Sequence, residues 1–360
     1  MKTIFLSDIH IGTDAVTNLY KTDTNQANLK RILSYIQNNG HQIKDVVILG
    51  DWVDLWMYPS SIVPPTVQQI MDANPSVFTR QTDGSGDFIS CMDSIQGNLH
   101  YINGNHDITV TSKDINDRFQ PASNKGKRVH YVDCSKEGYT SHDGIIYGEH
   151  GHWYSMVCRP YRGEVVPFGY YMTRAGMQII ADTQKSLPPI DVLGIQQLIS
   201  YNGLTFARAM LTLQANQLGF TKIEDLIFTM PDGSTISADV VADKFPHLFI
   251  NELGFLRTDV GGSLDEFAKQ LLESENKYNH KIVVFGHTHI KELNNYGFEN
   301  YPLIYANSGF LCANEPDSND ISVSTFVEIE DNGKGSHTVS LIKLDYATGA
   351  FTVDKTITIK

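Results

Sequence analysis

Residues 2–10 read Lys2-Thr3-Ile4-Phe5-Leu6-Ser7-Asp8-Ile9-His10, a brief apolar run that stops at a carboxylate and an imidazole. Such a run predicts a short buried strand whose carboxyl end delivers Asp8 and His10. Downstream, Asn25 to Asn38 carries Leu29, Ile32, Leu33 and Ile36 at the spacing of an amphipathic helix. Asp45 to Leu49, with Val46, Val47 and Ile48, is a second buried strand, and Asp51 falls just past it. Strand, helix, strand is the alternation of a layered α/β fold.

The same device recurs along the chain. Leu99 to Asn103 leads into Asn105, Gly144 to Gly148 into His150, and Lys281 to Phe285 into His287. Polar residues gathered at five strand ends mark a site built in loops above a rigid sheet. Beyond it, Leu303 to Ala306, Ser322 to Ile329, Thr338 to Leu344 and Phe351 to Ile359 alternate like antiparallel strands, with Gly and Asn turns between them. The stretch from His152 to about Asn279 differs. Met172 to Gln184, Ile195 to Leu218 and Leu264 to Tyr278 read as helices, and Met230-Pro231-Asp232-Gly233-Ser234 reads as a turn between short strands. The expected division is a core of residues 1–152 and 280–360, with an inserted, mainly helical cap over 153–279.

A chain of 360 residues with 41% hydrophobic and 19% charged residues can bury a sizeable core. Its formal charge of -13 and the lack of a basic run argue against nucleic acid as partner. Cys91, Cys134, Cys158 and Cys312 are scattered without a CxxC pair, so free thiols are expected. Met1 to Leu6 is too short for a signal segment, and no stretch approaches the roughly 20 apolar residues of a membrane span. A cytoplasmic protein is expected.

Five blocks carry the chemistry: Ser7-Asp8-Ile9-His10, Gly50-Asp51-Trp52-Val53-Asp54, Gly104-Asn105-His106-Asp107, His150-Gly151-His152 and Gly286-His287-Thr288-His289. Carboxylates, an amide oxygen and imidazoles, without thiolate, suit Mn, Fe or Zn. A bridging carboxylate offsets the repulsion of two cations about 3.5–4 Å apart, and water shared between them becomes a nucleophile near neutrality.

Read as DxH, GDxxD, GNHD, HGH and GHTH in that order, the blocks make the chain resemble the calcineurin-like metallophosphoesterases over roughly residues 1–152 and 280–311. The resemblance implies a four-layer β-sandwich of two mixed sheets with helices on both outer faces. It implies two divalent metal ions: Asp8, His10 and His289 on the first, Asn105, His150 and His287 on the second, and Asp51 bridging. His106 corresponds to the catalytic histidine, the general acid toward the leaving oxygen, and Asp54 to the carboxylate that orients it. The first histidine of HGH is the ligand, leaving His152 beside the phosphate or packed away. Asp107 is expected to stabilise its loop.

The implied reaction is hydrolysis of a phosphomonoester or phosphodiester of a small phosphorylated substrate. Arg159, Arg162 and Arg174, early in the cap, could pair with phosphate, although solvated or salt-bridged arginines are commoner. Trp52 and Trp56 flank Asp51 and either pack or face a substrate ring. The run Gly50 to Trp56 and the insert look similar to UDP-diacylglucosamine pyrophosphohydrolases, which makes a nucleoside-diphosphate lipid or sugar the alternative substrate. Those enzymes usually carry GNRD where His106 stands here, which favours simpler phosphoesters. A nuclease of the same family is opposed by the acidic balance. A silent protein-binding scaffold would be expected to have lost a ligand or the catalytic histidine, and none is missing.

Overall fold

A computed structural model describes residues 1–23, 25–135, 137–161, 163–183, 197, 199, 202, 204–246, 264–273, 280–297, 302–311, 324–346 and 348–359. In chain order the strands are β1 (Lys2–Leu6), β2 (Ile43–Leu49), β3 (Leu99–Ile102), β4 (His130–Val132), β5 (Tyr139–Thr140), β6 (Ile146–Gly148), β7 (Ile227–Thr229) and β8 (Thr235–Ser237). They continue with β9 (Ile282–Phe285), β10 (Lys291–Asn295), β11 (Ile304–Ser308), β12 (Thr325–Gly333), β13 (Ser336–Leu344) and β14 (Phe351–Ile359).

Two mixed sheets form the centre. One runs β14-β13-β12-β1-β2-β3-β4, the other β10-β11-β9-β6-β5. In the first, β1 to β4 pair in parallel and β12 to β14 antiparallel. In the second, β9 is parallel to both β6 and β11, while β5 and β10 close the edges antiparallel.

Alternation along each strand divides the side chains between layers. Phe5, Val47, Leu49 and Ile102 of the first sheet meet Ile146, Ile282, Val284, Ile304 and Ala306 of the second. On the opposite face of the first sheet, Ile4, Leu6, Val46 and Ile48 pack on Leu29, Ile32, Leu33 and Ile36 of helix Asn25–Asn39. Beyond the second sheet, Val283, Phe285 and Tyr305 pack on Leu264, Ala268 and Leu272 of helix Leu264–Glu273. The result is the α/β sandwich of two mixed sheets between helices that the resemblance implies, in keeping with the layered α/β alternation. Burying each such side chain is worth about 1.5–3 kcal/mol, which fixes the strands as a rigid base for the loops above.

Several elements differ from the sequence reading. Helices Val67–Ala73, Phe88–Ser94 and Ser112–Ala122 stand where none is predicted. Each starts at a side-chain cap: Thr66 Oγ1 accepts from the Gln69 amide, Asp87 from Ser90 and Thr111 from Asp114. The helix expected over Ile195 to Leu218 is not one unbroken helix: residues 197, 199 and 202 are helical, 204–205 are not, and helix Phe206–Gln217 starts afresh. Thr205 is extended there and its hydroxyl accepts from the Arg208 amide, which makes it a helix start rather than an interior residue. The turn at Met230 to Ser234 does join two short strands, the hairpin of β7 and β8. Helices Phe168–Thr183, Phe206–Gln217 and Ala238–Lys244 share an apolar cluster of their own, which includes Phe168, Tyr171, Phe206, Leu211, Phe228 and Phe245.

Candidate metal centre

The five blocks sit at strand ends drawn from both sheets. Those at Asp8, Asp51 and Asn105 follow β1, β2 and β3; those at His150 and His287 follow β6 and β9. Backbone hydrogen bonds stitch the loops to one another. The amides of Ile9 and His10 donate to the Asp51 carbonyl at 2.9 and 2.8 Å, and Asp54 N donates to the Ile11 carbonyl at 2.9 Å. Across the two sheets, Gly286 N donates to the His150 carbonyl at 3.1 Å, and His287 N donates to the Asp8 carboxylate at 3.0 Å.

Glycine at the head of two blocks follows from this crowding. A Cβ on Gly286 would lie 2.5 Å from Ser7 Oγ and 2.6 Å from Asp8 Oδ2, and one on Gly104 would collide with the Asp51 carboxylate. Asp8, His10, Asp51, His287 and His289 have φ of 55°, 55°, 52°, 72° and 60°. They are five of the seven non-glycine residues with positive φ among the described residues. Left-handed backbone costs about 1–2 kcal/mol per residue, so its concentration here marks a site that the rest of the fold holds under strain.

Three sets of donor atoms lie within 4.8 Å of one another: Asp8, His10 and His289; His10, Asp51 and His106; and Asp8, Asp51 and His150. Asp51 belongs to two of the three sets, and its Oδ2 lies 3.7 Å from His10 Nε2 and 3.3 Å from His150 Nε2. On one side, His10 Nε2 faces His289 Nε2 at 3.1 Å, and His289 Nε2 is 3.4 Å from Asp8 Oδ1. On the other, His150 Nε2 faces Asn105 Oδ1 at 3.1 Å. His287 belongs to none of the three sets; its ring centroid is 5.1 Å from that of His150.

The tautomers are fixed from behind. His150 Nδ1 donates to the Leu49 carbonyl at 2.6 Å, and His10 Nδ1 donates to Asp54 Oδ2 at 3.1 Å. With Nδ1 of both rings committed to these acceptors, Nε2 is the atom each ring would offer a cation once it has given up any proton there. This donor set fits divalent cations with oxygen and imidazole preference.

The electrostatics agree. Burial pushes the Asp51 carboxyl up, but the charges of His150 and His106 and the hydrogen bond from His150 outweigh it and hold it well below the usual carboxylate range. Burial likewise opposes the charged form of Asp8, which the His289 hydrogen bond and the His150 charge overcome. Burial would lower His150, yet Asp51 and Asp8 raise it to about 9. A field that favours charge on a buried imidazole also favours a divalent cation among these groups.

His106 stands at the edge of the cluster. Its amide donates to Asp51 Oδ1 at 2.8 Å and its Nδ1 to Asp54 Oδ1 at 3.0 Å. Burial lowers its pKa, but the carboxylates of Asp54 and Asp51 raise it to about 9. Asp107 accepts from Gly104 N at 2.6 Å, from Trp52 N at 3.0 Å and from the Tyr101 hydroxyl, holding the third loop onto the second.

Other candidates take different positions. Trp52 is buried against Phe88, and Trp56 is buried and stacked on His106 at a centroid distance of 4.6 Å, so both pack. Arg174 is fully buried and donates to carbonyls of Tyr58, Pro59, Ser60, Ile62 and Thr229 and to the Tyr170 hydroxyl; it offers nothing to a phosphate. The packing of helix Phe168–Thr183 against the loop at 58–62 decides this, and no local sequence signal shows it. His152 is wholly buried, 5.4 Å from the His150 ring, with neither ring nitrogen hydrogen-bonded. Arg159 is exposed, next to the buried Val157 and Cys158, and Arg162 lies outside the described residues. Unforeseen in the sequence are the second hydrogen bond of Asp54, to His10, and the Phe310 ring stacked on His289 at 4.5 Å and 4°.

Among the described residues no helix is long and apolar enough to cross a membrane. No curated protein matches the chain. Solved structures that resemble it include wild-type Vps29 of Entamoeba histolytica complexed with zinc, at 11% identity and a TM-score of 0.34 over 99% of both chains. A double mutant of the same protein gives 12% identity and a TM-score of 0.34 over 100% of both. Likeness of that degree carries no functional weight. The family model described as calcineurin-like phosphoesterase matches residues 1–291, a span that takes in all five blocks. On that match, the chain belongs to the calcineurin-like phosphoesterase family.

Proposed function

We propose that this protein hydrolyses a phosphomonoester or phosphodiester of a small substrate at a centre for two divalent cations, Mn, Fe or Zn. Asp8, His10 and His289 would hold one, Asn105, His150 and His287 the other, and Asp51 both. One observation carries the reading: Asp51 Oδ2 faces Nε2 of His10 and Nε2 of His150, at 3.7 and 3.3 Å, from between two groups of candidate ligands. When bound, such a pair of ions supplies a nucleophilic water at neutral pH and offsets charge on the phosphoryl oxygens.

The residues of the chain supply the rest. Asp51, held ionised, keeps the two donor groups together. His106, raised to about 9, carries a proton at neutral pH. With Nδ1 donating to Asp54, it keeps Nε2–H for the leaving oxygen. Trp56 stacked on its ring limits rotation, so the proton is delivered along one direction. Of the region 153–279, the part with helices Phe168–Thr183, Phe206–Gln217 and Ala238–Lys244 acts as a substrate-specificity cap, whereas helix Leu264–Glu273 packs on the second sheet. Arg159 and Arg162 are the candidates to meet the substrate phosphate. Support for the cap is its separate apolar cluster, which reaches the site through Trp56.

The test is a panel: manganese-loaded protein with p-nitrophenyl phosphate, bis-p-nitrophenyl phosphate, a nucleoside diphosphate sugar and single-stranded DNA. Turnover of the first or second is expected, and Asp51→Ala or Asn105→Ala should abolish it. Bound metal with no turnover of any of the four would overturn the hydrolase reading.

A further inference from the structure

Asp54 touches two imidazoles, and the second contact has its own consequence. Its Oδ1 accepts from the amides of Trp56 and Met57 at 2.8 and 2.9 Å and from His106 Nδ1 at 3.0 Å. Its Oδ2 accepts from His10 Nδ1 at 3.1 Å. The carboxylate is fully buried, so no water substitutes for any of the four donors. The two rings stand edge to face with centroids 4.6 Å apart, one on each oxygen.

We propose that Asp54 is a positioning residue for the cation at Asp8, His10 and His289, acting through His10, in addition to orienting His106. This rests on the two-cation reading above. The argument is one of tautomers. While Oδ2 accepts from Nδ1, the neutral ring of His10 keeps its lone pair on Nε2, the atom that faces His289 Nε2 and Asp51 Oδ2.

An asparagine at position 54 separates the two contacts. Three donors converge on Oδ1, so the amide oxygen takes that place and the NH2 group falls where Oδ2 was. It then points a donor at His10 Nδ1, which can answer only by becoming an acceptor and carrying its proton on Nε2. That tautomer cannot bind a metal through Nε2. The contact to His106 is meanwhile preserved. Partners behind a metal-binding histidine typically change affinity by about 10–100-fold when altered.

The experiment is titration of metal-free protein with manganese, followed calorimetrically and by electron paramagnetic resonance, on wild type, Asp54→Asn and His106→Ala. Two sites are expected in wild type and in His106→Ala. In Asp54→Asn, one of the two should weaken by about 10-fold or more, and the spectrum of a coupled pair should give way to that of an isolated ion. Unchanged affinity at both sites in Asp54→Asn, or the same loss in His106→Ala, would overturn the proposal. Wild type that binds no manganese would instead defeat the two-cation reading beneath it. Should Asp54→Asn fail to fold, the 15N shifts of the His10 ring in metal-free wild type decide the matter. Protonated Nδ1 with bare Nε2 supports the assignment, and protonated Nε2 refutes it.

Discussion

The indole of Trp56 lies on the imidazole of His106, centroids 4.6 Å apart and planes 24° from parallel, and joins the proposed acid to the apolar cluster of helices Phe168–Thr183, Phe206–Gln217 and Ala238–Lys244. Trp56 also meets Tyr170 edge-on at 6.0 Å. Replacing it with leucine keeps an apolar residue but frees the ring of His106 to turn about its single tether to Asp54. The expected result is a kcat reduced by 10- to 100-fold with manganese content unchanged, since small misplacement of a catalytic group costs about that much. Stability should fall by about 1–3 kcal/mol. A kcat equal to wild type would remove the stacking from the mechanism.

Cation binding and fold stability should be linked. Five of the proposed ligand residues sit on left-handed backbone, and the ring nitrogens of His10 and His289 and the polar atoms of His150 and Asn105 face each other at 3.1 Å. A metal that binds only the folded state adds about 2.7 kcal/mol at a hundredfold excess over Kd. Thermal melts should therefore shift upward with manganese and downward with a chelator. Asp51→Ala removes the shared carboxylate, so its melting temperature should no longer respond to metal. A metal response in Asp51→Ala equal to that of wild type would show that the ions bind elsewhere.

The alternation of β1, helix Asn25–Asn39 and β2 was legible because burial on one or both faces dictates periodicity directly. The strand-end positions of Asp8, Asp51, Asn105, His150 and His287 were legible for the same reason. Their meeting across two separate sheets was not, since local periodicity carries no information about which sheet a strand joins. The capped helices at 67–73 and 112–122 did leave a signal: Thr66 with Gln69 and Thr111 with Asp114 are capping boxes. The role of Arg174 left none. An arginine near a phosphate-chemistry block reads as an anchor, and only the tertiary packing reveals that six uncharged acceptors already surround it.

Arg174 should accordingly be a residue of stability rather than of substrate affinity. Its guanidinium ties helix Phe168–Thr183 to the loop at 58–62 and to β7. Arg174→Met fits the volume but leaves buried carbonyls without donors, each worth about 1–3 kcal/mol. We expect a loss of about 3 kcal/mol or more in denaturant unfolding, with KM changed less than twofold in the protein that remains folded. A large rise in KM at unaltered stability would return Arg174 to the substrate.

At the far end of β2 from the candidate metal centre, Asp45 ties the two sheets together, and its titration should appear in acid unfolding. Asp45 Oδ1 accepts from Asn98 N at 2.9 Å and lies 3.6 Å from His100 Nε2, while Oδ2 accepts from the Tyr139 hydroxyl of the other sheet at 3.2 Å. Burial pushes the carboxyl up, but its bonds with His100 and Asn98, the His100 charge and the Tyr139 bond prevail and hold it below its ordinary 3.8. A group depressed on folding binds its proton more readily in the unfolded chain. Its contribution is therefore complete above about pH 4 and is lost as the pH falls through the lowered value. In Asp45→Asn the stability difference from wild type should be largest near neutrality and shrink on acidification below pH 4. A difference independent of pH over that range would mean that Asp45 acts by packing and not by charge.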